Sequence, residues 1–435
     1  MTVSPFSAAC LAATLDGVAV LGCLQAAAGV VLMRRFSRRA RRLKRSVLPD
    51  ADLPPISVLK PLHGEEPMLE KALVGFVTQD YPELQIVFGV QSAADPAIAV
   101  VQRLRRRFPE RDLCLVIDPT PHGQNRKIGN LINMLPYAAH DLLVISDSDI
   151  HVAPDYLREV ARSFADDRNV GLVTTLYHGI PASPSLSRRL AAGQINHNFL
   201  PGVLLSRLLG RQDCLGSTMA LRRETLEAIG GLPMLSGHVA DDSVLGKLVR
   251  RHGRSIAIAS SLTATTVAES GATDLFAHEL RWGRTVRAVE PLGYALSAVQ
   301  FPLFWASLAL AVAPGAGWTW LLFATIWVLR AILAGHIERL IGFMSAGPAE
   351  RNATAKTTPL LLLPLRDWLS AAIMAASFTG SRVAWRGQML HVSSRSPSRR
   401  LRDGLPGNVV VPHPVSQTMS QTILGHAHQT LVQGD

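Results

Sequence analysis

Cysteine is scarce in this chain. Its 435 residues hold four, Cys10, Cys23, Cys114 and Cys214, with no CxxC pair and no histidine at zinc spacing. A disulfide framework and a cysteine-based zinc site are therefore excluded, and a reducing cytoplasm suits the soluble part. Charge is sparse as well. Only 18% of residues are charged and mean hydropathy is +0.20. Long apolar runs account for both, which makes the chain a membrane-associated enzyme or transporter. The net charge is +11, but much of the excess is local and no basic groove is interleaved with aromatics. Nucleic acid is not expected as a partner, and the basic excess reads as attraction to a membrane surface.

Residues 11–33 form a mostly apolar run, long enough to cross about 30 Å of hydrocarbon. The following RRFSRRARRLKR has eight basic residues in twelve. No positive charge precedes the run, so an uncleaved anchor is expected rather than a signal peptide, with the basic side in the cytoplasm. The expected organisation is a membrane anchor over 1–33, a basic juxtamembrane linker over 34–54, a cytoplasmic α/β domain over 55–290, a membrane region over 291–390 and a disordered tail over 391–435. Tyr294–Ala313 and Trp318–Ala334 read as two spans joined by PGAGW. Pro359–Phe378 is a third apolar stretch, interrupted by Arg366-Asp367. A basic segment after it should stay inside, so 359–378 is expected to be re-entrant or interfacial.

Between these regions, short apolar runs alternate with helical patterns. ISVLK, LQIVFGV, DLCLVID and DLLVISD are strand candidates; helices are expected near Pro67–Thr78, Pro96–Phe108 and Lys127–Leu135. Strands spaced by helices predict a mostly parallel sheet covered on both faces, whose ligands bind at the carboxyl ends of its strands.

Four features of this domain carry chemistry, and each has a plainer alternative. Asp95 ends a strand, and can equally cap the helix beginning at Pro96. Asp147-Ser148-Asp149 follows LLVIS, as a metal site or a charged turn. Asp241 and Asp242 open an amphipathic helix, where acids also suit the helix dipole. HELRWGRTVR (278–287) precedes the returning apolar region, where Trp and Arg also serve as juxtamembrane anchors. A phosphatase-type DxDx[TV] reading of the DSD fails at His151. The WRG stretch at 385–387 is either a second interfacial anchor or part of a basic tail. Glycosyl transfer from a nucleotide diphosphate sugar links all four features. A diphosphate leaving group calls for Mg²⁺ or Mn²⁺ on hard carboxylate oxygens, and an alcohol acceptor calls for a carboxylate base. Arg suits phosphate oxygens and Trp can stack on a sugar or base.

Residues 56–290 resemble the family 21 glycosyltransferases of the ceramide glucosyltransferase type. The resemblance is carried by VLKPLHGEEP, QDYP, GVQSAADPAIAV, NRKIGNL, SDSDI, INHNFLP, LGSTMALRRETLEAIGGL, ADDSVLGKLV and HELRW, in order. Within that family the runs HGQNRKIGNLINML, SDSDIHVAPDYL, GLVTTLYHG, INHNFLP and HELRWGRTVRAVEPLGY are most similar to the bacterial hopanoid-biosynthesis-associated branch. The resemblance implies a GT-A fold and an inverting transfer from a UDP-sugar to a lipid hydroxyl. In the hopanoid branch the sugar is thought to be N-acetylglucosamine and the acceptor a polyhydroxylated hopanoid; ceramide or another lipid, with glucose, is the alternative. It further implies that Asp95 contacts the nucleotide, that Asp147 and Asp149 hold the metal and diphosphate, and that Asp242 is the base. Arg281 and Trp282 correspond to the RW of a (Q/R)xxRW motif that closes over the diphosphate and acceptor. His278 departs from that motif's first position but can still donate a hydrogen bond. Lys127 is implied near the nucleotide and His197 near the acceptor. A multi-pass protein of the inner membrane, with the catalytic domain facing the cytoplasm, follows from the same reading. A polysaccharide synthase would need more spans and a Q(Q/R)xRW motif; a transporter or non-catalytic scaffold is the rival of another class.

Overall fold

The computed structural model describes residues 5–45, 48–345, 359–385 and 388–391. In chain order the elements are α1 (Pro5–Lys44), β1 (Ile56–Pro61), α2 (Leu69–Val77), β2 (Leu84–Val90), α3 (Ala97–Arg107), β3 (Asp112–Ile117), α4 (Arg126–Met134), β4 (Leu142–Ile145), β5 (Ile150–His151), α5 (Tyr156–Asp166) and β6 (Val170–Pro181). There follow α6 (Leu186–Gln194), a single π-helical turn (Ile195–Phe199), α7 (Leu200–Leu208), β7 (Met219–Arg222), α8 (Arg223–Ala228), α9 (Asp241–Arg251), β8 (Ser255–Val267) and α10 (Ala272–Val289). The remainder comprises α11 (Pro291–Leu296), α12 (Pro302–Val312), α13 (Gly317–Met344), α14 (Leu363–Ser377) and a hairpin of β9 (Arg382–Trp385) and β10 (Gln388–His391).

Local rules explain the first half. β1 and β4 are buried at every position, as strands covered on both faces must be. α3 buries Ala97, Val100, Val101 and Leu104 along one stripe and turns its last-turn arginines outward, toward the negative end of the helix dipole. α4 starts where the Asn125 side chain accepts from the Ile128 amide at 3.1 Å. The strands and helices expected over 56–145 all form.

Eight strands make one sheet in the order β3-β2-β1-β4-β7-β6-β8-β5. β3, β2, β1 and β4 run parallel; β7 is antiparallel to both β4 and β6; β6 and β8 are parallel, and β5 pairs antiparallel with β8. The sheet is thus mostly parallel, as expected, and apolar clusters pack on it. One holds Phe76, Val101, Tyr156 and Leu157, another Ile128, Leu131, Leu235 and Leu245.

α1 continues as one helix through the basic run to Lys44. Among the described residues, three helices are long and apolar enough to cross a membrane: Phe6–Lys44, Gly317–Met344 and Leu360–Ser377. α1, α12, α13 and α14 meet around Ala19, Cys23, Leu303, Ile326 and Leu363. The region expected as one span over Tyr294–Ala313 is instead a pair, Pro291–Gln300 and Pro302–Val312, bent by 67°. Pro302 lacks the amide a continuous helix would need and restricts Phe301. The break therefore falls here, whereas Leu360–Ser377, expected to be re-entrant or interfacial, has the length and apolarity of a span. The expected tail from 392 onward, and residues 386–387 of the WRG stretch, lie outside the described residues.

Candidate functional site

The DSD loop leaves the carboxyl end of β4 and is held at its far end by β5, whose Ile150 and His151 pair with Thr265 and Ala264 of β8. A central strand and an edge strand thus fix both ends of the loop. Thr265 Oγ1 donates to Asp149 Oδ2 at 2.5 Å, and the Thr266 amide donates to the Asp149 carbonyl at 3.1 Å. Beneath the loop, the buried Lys60 of β1 donates to the Asp147 carbonyl and lies 3.9 Å above the Phe76 ring. Burial, only partly offset by Asp149, Asp147 and Glu66, pushes the Lys60 ammonium down to about 7. Burial also raises Asp149 to about 6, with Asp147 adding to the effect.

Lys127, in the first turn of α4, bridges two carboxylates. Its Nζ is 2.7 Å from Asp147 Oδ1 and 3.1 Å from Asp241 Oδ2. Burial opposes its charge, but Asp147 and Asp241 overcome that and raise its pKa. Asp242 opens α9 and its Oδ1 accepts from the Ser243 amide at 2.7 Å. Burial, reinforced by Asp241, pushes Asp242 up to about 7. Gly216 lies between the walls of the site. A Cβ there would stand 3.4 Å from Asp242 Oδ2 and 3.7 Å from Asp147 Oδ2, so both oxygens border one open space that any side chain would fill.

The opposite wall is α10. His278, Arg281 and Trp282 are spaced i, i+3 and i+4 and so share a helix face. His278 Nδ1 hydrogen-bonds Glu269 Oε1, and the His278 ring stands edge-on to Trp282 at 5.0 Å. Together the two walls enclose a cavity of about 320 Å³ lined by Lys127, Asp147, Asp149, Asp241, His278, Arg281 and Trp282, among others.

Three expected site residues, Asp95, His197 and Asp242, are not among the residues lining the cavity: Asp242 borders it behind Gly216, and the other two lie elsewhere. Asp95 accepts from the Gly64 amide at 3.0 and 3.1 Å and from the Ala97 amide at 2.9 Å. It ties the loop after β1 to the start of α3 and is not among the residues lining the cavity, which fits its plainer capping alternative. His197 sits in the π-helical turn, where Nε2 meets Glu338 Oε1 of α13 at 2.8 Å; it too is absent from the lining. Conversely, the sequence reading gave no role to Lys60, Glu66, Tyr177 or Glu269. Lys60 had a detectable signal, a lysine inside an otherwise apolar buried strand. Glu66 in the loop after β1, Tyr177 of β6 and Glu269 just after β8 line the cavity because the sheet unites strands far apart in the chain, which sequence spacing does not show.

Among the described residues, no group of three or more His, Cys, Asp or Glu is arranged to hold a metal ion. The donor set is nevertheless carboxylate oxygen, with Asp147 Oδ2 facing the open space beside Gly216. That suits Mg²⁺ or Mn²⁺ bound by one or two carboxylates, with substrate phosphates completing the shell.

An acidic cavity thus lies at the carboxyl edge of a mostly parallel sheet, walled by a helix carrying Arg281 and Trp282 that leads into helices long and apolar enough to cross a membrane. The model of glycosyl transferase family 21 matches residues 15–397, and the chain belongs to that family. Ceramide glucosyltransferase 1 of Caenorhabditis elegans is 26% identical over 289 residues, 64% of this chain and 60% of that protein. Ceramide glucosyltransferase 3 of the same organism is 26% identical over 225 residues, 50% of this chain and 48% of that protein. The chain thus spans about half to three-fifths of the length of these relatives. The ceramide glucosyltransferase of Pyricularia oryzae is 22% identical over 464 residues, 87% of this chain and 94% of that protein. Among solved structures, the mannosyltransferase PcManGT from Pyrobaculum calidifontis, in complex with GDP-Man and Mn²⁺, is similar at a TM-score of 0.45. It is 20% identical and covers 84% of this chain and 98% of that one.

Proposed function

We propose that the protein is an inverting glycosyltransferase that moves a sugar from a UDP-sugar to the hydroxyl of a membrane lipid. The observation that carries this reading is the single cavity in which Asp147, Asp149 and Lys127 face His278, Arg281 and Trp282. Asp242 is the base. A carboxyl held near 7 keeps enough basicity to take the acceptor proton at neutral pH, which an ordinary aspartate lacks. Arg281 stabilises negative charge on the departing diphosphate, and Trp282 offers an apolar ring for the sugar or acceptor. A divalent cation held by Asp147 and Asp149, when bound, supplies further neutralisation of the leaving group. Lys127 holds Asp147 and Asp241 together against their mutual repulsion and adds positive charge on the nucleotide side. Asp95 and His197 support the site from behind, through the loop after β1 and through α13 respectively. The expected orientation, with the domain on the cytoplasmic side of the inner membrane, follows from the basic run at the end of α1.

For the acceptor, the resemblance of the HGQNRKIGNLINML and HELRWGRTVRAVEPLGY runs favours a polyhydroxylated hopanoid with N-acetylglucosamine as the sugar. The names of the curated relatives favour a second reading, glucose transfer to ceramide. Purified protein in lipid nanodiscs, given radiolabelled UDP-N-acetylglucosamine or UDP-glucose with each lipid, distinguishes the two. EDTA should abolish transfer. Full activity in EDTA would remove the metal role of Asp147 and Asp149. No labelled lipid and no UDP release with any pairing would leave a non-catalytic scaffold.

A further inference from the structure

Arg366-Asp367 is a charged break in an apolar helix of membrane-spanning length, and sugar transfer as described does not use it. Both residues are buried. Arg366 makes a two-pronged contact with Glu279 of α10, Nη1 to Oε1 at 2.8 Å and Nη2 to Oε2 at 2.7 Å. The side chains are 2% and 12% exposed. Asp367 points to a different element: its Oδ2 accepts from the Leu303 amide at the head of α12, at 2.9 Å. Glu279 stands next to His278 and two residues before Arg281. Farther along α10, Arg284 donates to the Arg382 carbonyl and Arg287 to the Gly380 carbonyl, each at 2.6 Å. The segment from α14 to β9 therefore grips α10 at three successive heights.

A buried ion pair is a weak source of net stability, because desolvation offsets the attraction. What a two-pronged Arg–carboxylate contact does supply is geometry, since both the distance and the plane are fixed. Rotation of α10 decides whether Arg281 and Trp282 face the cavity. We propose that Arg366 is a positioning residue for sugar transfer: through Glu279 it fixes the rotation and height of α10, and so sets His278, Arg281 and Trp282 against the acidic wall. This rests on the reading of the cavity as the transfer site.

The test uses the full chain in nanodiscs, with Glu279→Gln, Arg366→Gln, Arg366→Lys and Asp367→Asn. Glu279→Gln and Arg366→Gln should lower kcat by about 10- to 100-fold, the size expected of a misplacement near 1 Å. Arg366→Lys keeps the charge but loses the fork, and should fall between these and wild type. Asp367→Asn, which touches α12 rather than α10, should keep kcat. Amide hydrogen exchange over residues 275–287, measured without substrate, should quicken in Glu279→Gln and Arg366→Gln and not in Asp367→Asn. Wild-type kcat or unchanged exchange in those two variants would overturn the proposal. So would an equal loss of kcat in Asp367→Asn, because any loosening of α14 would then suffice. Quickened exchange alongside a wild-type protein that transfers no sugar would uphold the positioning contact and overturn the transfer reading.

Discussion

Asp242 carries a charge that its surroundings oppose, since both burial and Asp241 favour its protonated form. Two consequences diverge. Asp242→Asn should lower turnover by about 10²- to 10⁴-fold, the usual worth of a positioned base. Its melting temperature should nevertheless hold or rise, because a disfavoured buried charge is gone. An Asn variant that keeps turnover, or that unfolds, would count against the base assignment. As a base, Asp242 must be ionised, so kcat/KM should climb with pH below about 7 and level off above it. A profile flat from pH 5 to 8 would sink that role. Lys127 behaves oppositely: it is the cation that Asp147 and Asp241 share. Lys127→Ala would leave buried Asp241 uncompensated and should destabilise the protein by about 3 kcal/mol, read by chemical denaturation. A loss of activity without loss of stability would mean that Lys127 serves the nucleotide alone. At this scale the sequence was most legible where chemistry needs short spacing, in DSD and in His278, Arg281 and Trp282 on one helical turn. It was least legible for Glu269, whose partner His278 is reached only through the path of β8 into α10.

Among the elements, the parallel half of the sheet could be read from apolar run length alone, since β1, β2 and β4 are buried on both faces. β5 could not, because two residues carry no periodicity; it exists only as the partner of β8. The bend after Gln300 was hidden for a related reason. Hydropathy records how apolar a stretch is, and both arms of the bent pair are apolar. Close packing between elements offers a sharper test. Gly89 near the end of β2 lies under α4: a Cβ there would fall 2.3 Å from Met134 Sδ and 2.5 Å from Asn130 Oδ1. The Asn130 side chain donates through Nδ2 to the Gly89 carbonyl at 2.7 Å, so the helix cannot simply lift away. Gly89→Ala should cost about 1–3 kcal/mol through overpacking, seen as a lowered denaturation midpoint. Because α4 carries Lys127, UDP binding should weaken with it. Unchanged stability would show that Met134 relaxes without strain.

For the whole molecule, stability against pH is a sum over groups titrating in opposite senses, so the useful quantity is the change in slope on removing one. Burial lowers His178 from 6.5 to about 4, and the folded protein keeps it neutral beside Ser345 at the end of α13. Between pH 6.5 and about 4 the unfolded chain binds a proton there that the native state does not. Its contribution is therefore complete above 6.5 and is lost as pH falls. Asp242 runs the other way. Its folded pKa, near 7, lies above the 3.8 of the free side chain, so the native state holds the extra proton. That contribution is complete below 3.8 and is lost as pH rises toward 7. Over the shared window the two slopes oppose each other at roughly 1 kcal/mol per pH unit apiece. His178→Asn should consequently make the protein less sensitive to acid than wild type, and Asp242→Asn more sensitive, whatever the other groups contribute. Denaturation midpoints collected in detergent from pH 4 to 6.5 measure both slopes. Parallel curves for wild type and the two variants would mean that these groups titrate alike in the folded and unfolded chains, and the burial argument for each would fall with them.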